Sequence, residues 1–258
     1  MRWGDEIRVH PRNPRPICDG CDEFYVDLRY LRFLREMPAM PAMPAMKFII
    51  HHSEFIIPAS EGAQLLSERY NPPMTHLLEQ QSAVLLVIDV QERINAVMTD
   101  QGHMPRIEVL IEAFRVLDVP VIGSEQYPKG LGGTVEPLAG LLGETPAAKD
   151  TFSCAKDLGL REQLAATGRP QVIVTGIETH VCVLQTALDL VEAGYRVHVP
   201  HDAVNSRRAT DKHWALERML AAGAQITTTE SVLFELLERC DTDAFKTVAK
   251  FVKKLPVP

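Results

Sequence analysis

Five apolar runs of strand length, alternating with stretches of helical period, limit what this chain can fold into. The runs are Val84–Ile88, Val119–Ile122, Val172–Val174, Val197–Val199 and Ile226–Thr228, and between them lie 107–117, 158–166, 181–193 and 214–222. The runs are continuous rather than alternating, as strands covered on both faces require. With short glycine-containing loops between the units, the pattern predicts an α/β three-layer sandwich: a mostly parallel sheet flanked by helices on both faces. Two further helices are expected over 231–238 and 241–253, with Ser231 and Asp241 as N-caps. Trp214, Leu216, Met219 and Leu220 read as the core-facing stripe of the helix before them.

Residues 1–73 follow another rule. They hold nine of the eighteen prolines and three of the fifteen glycines, and include the repeat Met37-Pro-Ala-Met-Pro-Ala-Met-Pro-Ala-Met46. Proline at every third position blocks a helix ladder and favours an extended linker, here 36–47. A short helix is expected over 23–36 and one strand over 47–57. Neither could close a core, so 1–73 is expected to be a poorly ordered extension and 74–258 the functional domain. Cys18-Asp-Gly-Cys21 has the spacing of half a zinc knuckle, but without a second cysteine pair it reads as non-metal.

Composition removes several functional classes. At 258 residues, 46% hydrophobic and net charge −7, the chain is neither disordered by composition nor basic enough to condense on a nucleic acid. Its longest apolar run, Ala83–Ile88, falls far short of the roughly 18–20 residues of a membrane helix. The first twenty residues carry Arg2, Asp5, Glu6, Arg8, Arg12 and Arg15, so no signal-peptide core is expected there. Five irregularly spaced cysteines suggest reduced thiols. The expectation is a cytoplasmic protein with a small-molecule substrate and no nucleic-acid or membrane partner.

In open parallel sheets, function gathers at the carboxyl ends of strands. Three reactive residues fall at such positions. Asp89 ends the run Val84–Ile88, Lys149 precedes Asp150-Thr-Phe-Ser153, and Cys182 lies where the Val172–Val174 strand gives way to a helix. Each has an ordinary reading alone, as a loop acid, a surface charge and a small buried apolar residue. At a helix N-terminus, however, a thiol can gain thiolate character.

The surrounding strings change this. Gly176-Ile-Glu-Thr-His-Val-Cys182 resembles the nucleophile turn of the isochorismatase-like cysteine hydrolase family. Val87-Ile-Asp-Val-Gln91 is similar to its first-strand motif and Lys149-Asp-Thr-Phe-Ser153 to its lysine motif. With Glu125-Gln-Tyr-Pro-Lys-Gly-Leu-Gly132 and Ala215-Leu-Glu-Arg218, the resemblance is nearest to the isochorismatase domain-containing proteins and spans about residues 82–254. It implies a triad of Asp89, Lys149 and Cys182, a non-proline cis peptide at Ile177–Glu178, and an oxyanion hole from the amides of Glu178 and Cys182. Lys149 would then stabilise a Cys182 thiolate below the ordinary thiol value of about 8.5. Asp89 would move the proton.

Gln126 and Tyr127 are candidate pocket residues, beside a loop whose glycines do not fit a phosphate-binding P-loop. His180 is expected to be structural rather than a base for Cys182, and Cys154 structural as well. Metal-dependent relatives of the superfamily carry His ligands after the second strand, whereas 124–132 contains none. No catalytic metal or cofactor is therefore expected, and family members usually form oligomers. The chemistry implied is amide C–N hydrolysis. Vinyl-ether hydrolysis, or a catalytically silent interaction protein on the same fold, are the alternatives.

Overall fold

A computed structural model describes residues 46–50, 53–57 and 77–256. The chain divides into two units, Met1–Pro72 and Pro73–Pro258. In the first, β1 (Met46–Ile50) pairs antiparallel with β2 (Ser53–Ile57), so the single strand expected over 47–57 is in fact two. The expected helix over 23–36 and the cysteine pair at 18 and 21 lie outside the described residues.

The second unit is built on a seven-stranded sheet. Its strands are β3 (Ala83–Ile88), β4 (Val121–Gln126), β5 (Ala147–Lys149), β6 (Gln171–Ile177), β7 (Arg196–Pro200), β8 (Val204–Asn205) and β9 (Gln225–Thr227). The order is β5-β4-β3-β6-β7-β9, with β8 beside the end of β6, and every pairing is parallel. From β3 the chain first builds outward through β4 to β5, then returns to the other side of β3 with β6. Such a reversal leaves a crevice between neighbouring strand ends.

Successive side chains of a strand point to opposite faces, so an unbroken apolar run feeds two cores at once. Ala83, Leu85 and Val87 join one core with Ile173 and Ile177, while Val84, Leu86 and Ile88 join the other with Val172 and Val174. Six helices of nine or more residues cover the two faces: α1 (His103–Val116), α2 (Leu158–Ala166), α3 (Leu184–Glu192), α4 (Ala209–Ala221), α5 (Thr229–Leu237) and α6 (Asp243–Val252). Buried residues of α1, α5 and α6 belong to the first core, and those of α2, α3 and α4 to the second. This is the three-layer α/β sandwich that the runs imply.

Several local expectations are corrected. β4 begins at Val121 rather than Val119 and continues through Ser124, Glu125 and Gln126. β5 and β8, three and two residues long, are too short to announce themselves in sequence. The cap of α5 is Thr228, whose hydroxyl accepts from the Ser231 amide at 3.1 Å. Thr242 does the same for α6 with Phe245, also at 3.1 Å. Thr228 lies three residues before the expected cap Ser231, and Thr242 one residue after the expected cap Asp241, so in each case a nearby threonine takes the capping position. On α4 only part of the expected stripe faces inward: Met219 is buried and Leu216 partly so, but Trp214 and Leu220 are 65% and 53% exposed.

Candidate active site

The crevice beside β3 collects the ends of three strands. Asp89 follows the last residue of β3 and is fully buried, at φ 52, in the left-handed region. A non-glycine residue there is strained, and such strain is usual where a fold enforces a functional geometry. Its amide donates to the Ser124 carbonyl at 3.1 Å, which ties it to β4. One carboxylate oxygen accepts from the Ser124 hydroxyl and the other from the Lys149 ammonium, both at 2.7 Å.

Lys149 is the last residue of β5 and is 3% exposed. Its Nζ also donates to Gln126 Oε1 at 2.7 Å and meets the carbonyls of Thr151 and Phe152 at 3.2 Å. The loop after β5 thus folds its own backbone over the charge. A buried ammonium needs these partners, because an uncompensated charge is costly to take out of water. Burial pulls the Lys149 value down, but the charge and hydrogen bond of Asp89, with smaller help from the two nearby cysteines, leave it above the ordinary lysine range. The ion pair is therefore intact at neutral pH.

Cys182 stands in a single π-type turn, Thr179–Val183, that joins β6 to α3, in place of the regular helix expected from 181. It is 4% exposed. Turns of this kind cluster at functional sites. The approach is prepared by Gly176, at φ 112, where any Cβ would collide with the backbone of Ile88 on β3. Only glycine allows β6 to lie so close to the strand that carries Asp89. The Ile177–Glu178 peptide bond is cis. Glu178 is buried, and its Oε1 accepts from the Arg207 side chain at 3.0 Å and the Arg207 amide at 3.2 Å.

The thiol is not poised as an anion. Burial first, then the Asp89 carboxylate, push Cys182 well above the ordinary thiol value, and the opposing charge of Lys149 does not overcome them. This direction runs against the expectation that Lys149 and the helix terminus would favour a thiolate. Burial and the carboxylate thus favour the thiol form of Cys182, and Asp89 favours the ammonium form of Lys149.

Other candidates fall into place around this centre. Gln126 lies in the charge network: its Oε1 accepts from Lys149 and its Nε2 donates to the Asp150 carbonyl at 3.0 Å. Tyr127, at φ 38, sends its amide to the Lys149 carbonyl at 3.0 Å and leaves its side chain half exposed. The following loop is pinned by Gln91, which bonds both backbone groups of Gln126 and the Gly132 carbonyl, and by Glu125, which accepts from Thr134. His180 places its ring nitrogens near Ser206, at 3.0 Å, and Asp211, at 3.9 Å.

One residue that sequence reasoning passed over, Ser124, and one that it read as structural, Cys154, belong here. Ser124 holds Asp89 directly, and Cys154, buried at the start of a short 3₁₀ turn, points its thiol at the Ser124 hydroxyl at 3.5 Å. Ser124 did carry a signal: it is the first polar side chain after the apolar run of β4. In register it sits opposite Ile88, one residue before the carboxylate. Among the described residues, no group of three or more His, Cys, Asp or Glu side chains gathers into a metal-binding cluster, and no helix is long and apolar enough to cross a membrane.

Comparison with known proteins agrees with this architecture. The model of the isochorismatase domain matches residues 83–231. Isochorismatase domain-containing protein 2A of Mus musculus is 38% identical over 186 residues, covering 69% of this chain and 85% of the mouse protein. Isochorismatase domain-containing protein 1 of Danio rerio is 37% identical over 182 residues, or 68% of this chain, which spans only 62% of that longer relative. Among solved structures, one described as the MAR1 ribonuclease of Caenorhabditis elegans is 39% identical. It superposes with a TM-score of 0.66, covering 71% of this chain and 98% of its own.

Proposed function

The chain belongs to the isochorismatase family and carries its hydrolase fold, and on that premise we propose that it is a metal-independent cysteine hydrolase that cleaves a small amide through a thioester on Cys182. The observation that carries this reading is the buried Asp89–Lys149 ion pair, whose two charges both bear on the buried Cys182 thiol. As the thiol is protonated at rest, attack and proton transfer go together. Cys182 Sγ adds to the substrate carbonyl while its proton passes to Asp89, whose charge bears on the thiol. The amides of Glu178 and Cys182 receive the developing oxyanion. Asp89 then protonates the departing amine, leaving an acyl–cysteine thioester. Water, deprotonated by Asp89, cleaves the thioester to release the acid and restore the thiol. Lys149 offsets the carboxylate's charge and holds its orientation through both half-reactions.

The test is a screen of small primary amides for ammonia release, repeated with Cys182→Ala. Loss of about 10³-fold or more in the variant supports covalent catalysis. Prior treatment with a chelator should leave the rate unchanged, and a large loss would overturn the metal-independent part of the proposal.

Two other readings rest on specific observations. The match to the isochorismatase domain keeps vinyl-ether hydrolysis in play, a reaction in which Asp89 protonates the substrate and Cys182 forms no bond. Cys182→Ala that retains hydrolysis would favour it. The C. elegans relative is described as a ribonuclease, so RNA belongs in the same screen. A net charge of −7 gives a polyanion little to condense on, and turnover of RNA above that of the Cys182→Ala variant would displace the amide reading. We also propose that the protein works as a homo-oligomer, which sedimentation would show directly.

A further inference from the structure

Asp89 must do two things in the proposed reaction: accept a proton from Cys182 and return it in the right direction. A carboxylate free to rotate about its last bond does neither well. One oxygen is fixed by Lys149. The other is fixed from the opposite side by groups to which the reaction assigns no step. An ionised carboxylate can only accept, so the 2.7 Å contact is a bond donated by the Ser124 hydroxyl. With its proton spent on Asp89, Ser124 Oγ accepts in turn, and the Cys154 thiol supplies the hydrogen at 3.5 Å.

This chain of donors is itself anchored at its far end. The Cys154 amide donates to the hydroxyl of Thr186 at 2.9 Å, and Thr186 lies one helical turn beyond Cys182 on α3. Ser124, Cys154 and Thr186 are all buried, so no water competes for these bonds. The direction of the relay requires Cys154 to keep its proton. Burial, followed by the charge of Asp89, raises its value to about 11.

We propose that Ser124 and Cys154 are positioning residues: a buried relay, Cys154 thiol to Ser124 hydroxyl to Asp89, that fixes the carboxylate facing Cys182 from the side opposite Lys149. The inference rests on the assignment of Asp89 as the proton carrier. It gives the second buried thiol a role that is neither nucleophilic nor merely space-filling. It also ties the base to the helix that follows the nucleophile's turn, so that Asp89 and Cys182 keep their spacing.

The experiment reads Cys182 without needing the natural substrate. Iodoacetamide alkylation is followed cysteine by cysteine, by peptide mapping, from about pH 7 to about pH 10, for the full chain and four variants. In Ser124→Ala the carboxylate loses a donor and presents more charge to the thiol. The Cys182 profile should move upward by about one pH unit, a roughly tenfold slower reaction at each pH below its midpoint. Ser124→Thr keeps the hydroxyl and should restore the wild-type profile. Cys154→Ala should shift it in the same direction by less, and Cys154→Ser, which retains a donor, should restore it. With an active substrate in hand, Ser124→Ala should lower kcat about ten- to hundredfold with little change in KM.

A wild-type profile in Ser124→Ala overturns the inference. So does an equal shift in Ser124→Thr, since the effect would then follow packing rather than the hydroxyl. If instead Cys182→Ala still hydrolyses amides, the underlying assignment of the nucleophile has failed, whatever the Ser124 variants do.

Discussion

Along β3 the chain passes from six consecutive buried residues, Ala83 to Ile88, to a fully buried carboxylate at positive φ in a single step. The body of the sheet is apolar, ordinary in backbone and divided evenly between two cores. Its carboxyl end breaks each of those rules: a buried ion pair, a glycine required by close approach at 176, a cis peptide after Ile177 and a π-type turn at the cysteine. The body's interactions are many and interchangeable, so each can be weakened without changing what the protein is. Those at the carboxyl end are few and specific.

The most severe way to break this contrast is Lys149→Met. It leaves the Asp89 carboxylate buried opposite a thioether, and removal of one partner of a buried pair costs about 3–5 kcal/mol. Chemical denaturation should show a loss of that size together with loss of hydrolysis. A stable but inactive protein would mean that Asp89 finds another partner or takes up a proton.

Leu86→Ala tests the other side. Leu86 packs in the second core of β3, and a buried Leu→Ala truncation costs about 2–4 kcal/mol. The melting temperature should fall while Cys182 keeps its alkylation rate in the folded protein. A large change in that rate would show that the body and the site are not separable.

A smaller effect sharpens the comparison, because the body contains a buried titratable group. His198, in β7, is buried with Nε2 unpartnered among the described residues, and burial, with some contribution from Arg196, lowers its value from 6.5 to about 4. His103, near the carboxyl end, is also lowered to about 4 by burial, but both of its ring nitrogens are bonded, to Asn95 and Asn205. In the window between those two values the unfolded chain binds protons that the folded protein refuses. The stabilisation is therefore complete above pH 6.5 and is lost as pH falls toward 4, at about 2 kcal/mol for each histidine between pH 7 and pH 5. His198→Leu should remove one such share of the acid sensitivity without lowering stability at pH 7. An unchanged pH dependence would place the sensitivity elsewhere.

The same contrast governs how much the sequence revealed. β3 and β6 are legible because strands covered on both faces must be continuously apolar. β4 was misplaced because its second half, Ser124-Glu125-Gln126, is polar on behalf of the site. β5 ends in the lysine itself, and three residues carry no periodicity. Asp89, Lys149 and Cys182 stood out through the motifs around them. Ser124 and Cys154 did not, since a lone hydroxyl and a lone thiol in an apolar stretch acquire meaning only when the sheet brings distant segments together. The raised value of Cys182 was equally hidden: the sign of the shift depends on burial and on which of two opposite charges lies nearer, and neither is a property of the string.

The central claim is that Cys182 is an acyl-accepting nucleophile whose proton leaves to Asp89. It is tested most directly with p-nitrophenyl acetate as acyl donor, followed by acid quenching and intact and peptide mass spectrometry. The account predicts a burst of nitrophenolate stoichiometric with protein, and a single acetyl group on Cys182 that is absent from Cys182→Ala. Acetylation of other residues alone, or an equal burst from Cys182→Ala, would contradict it.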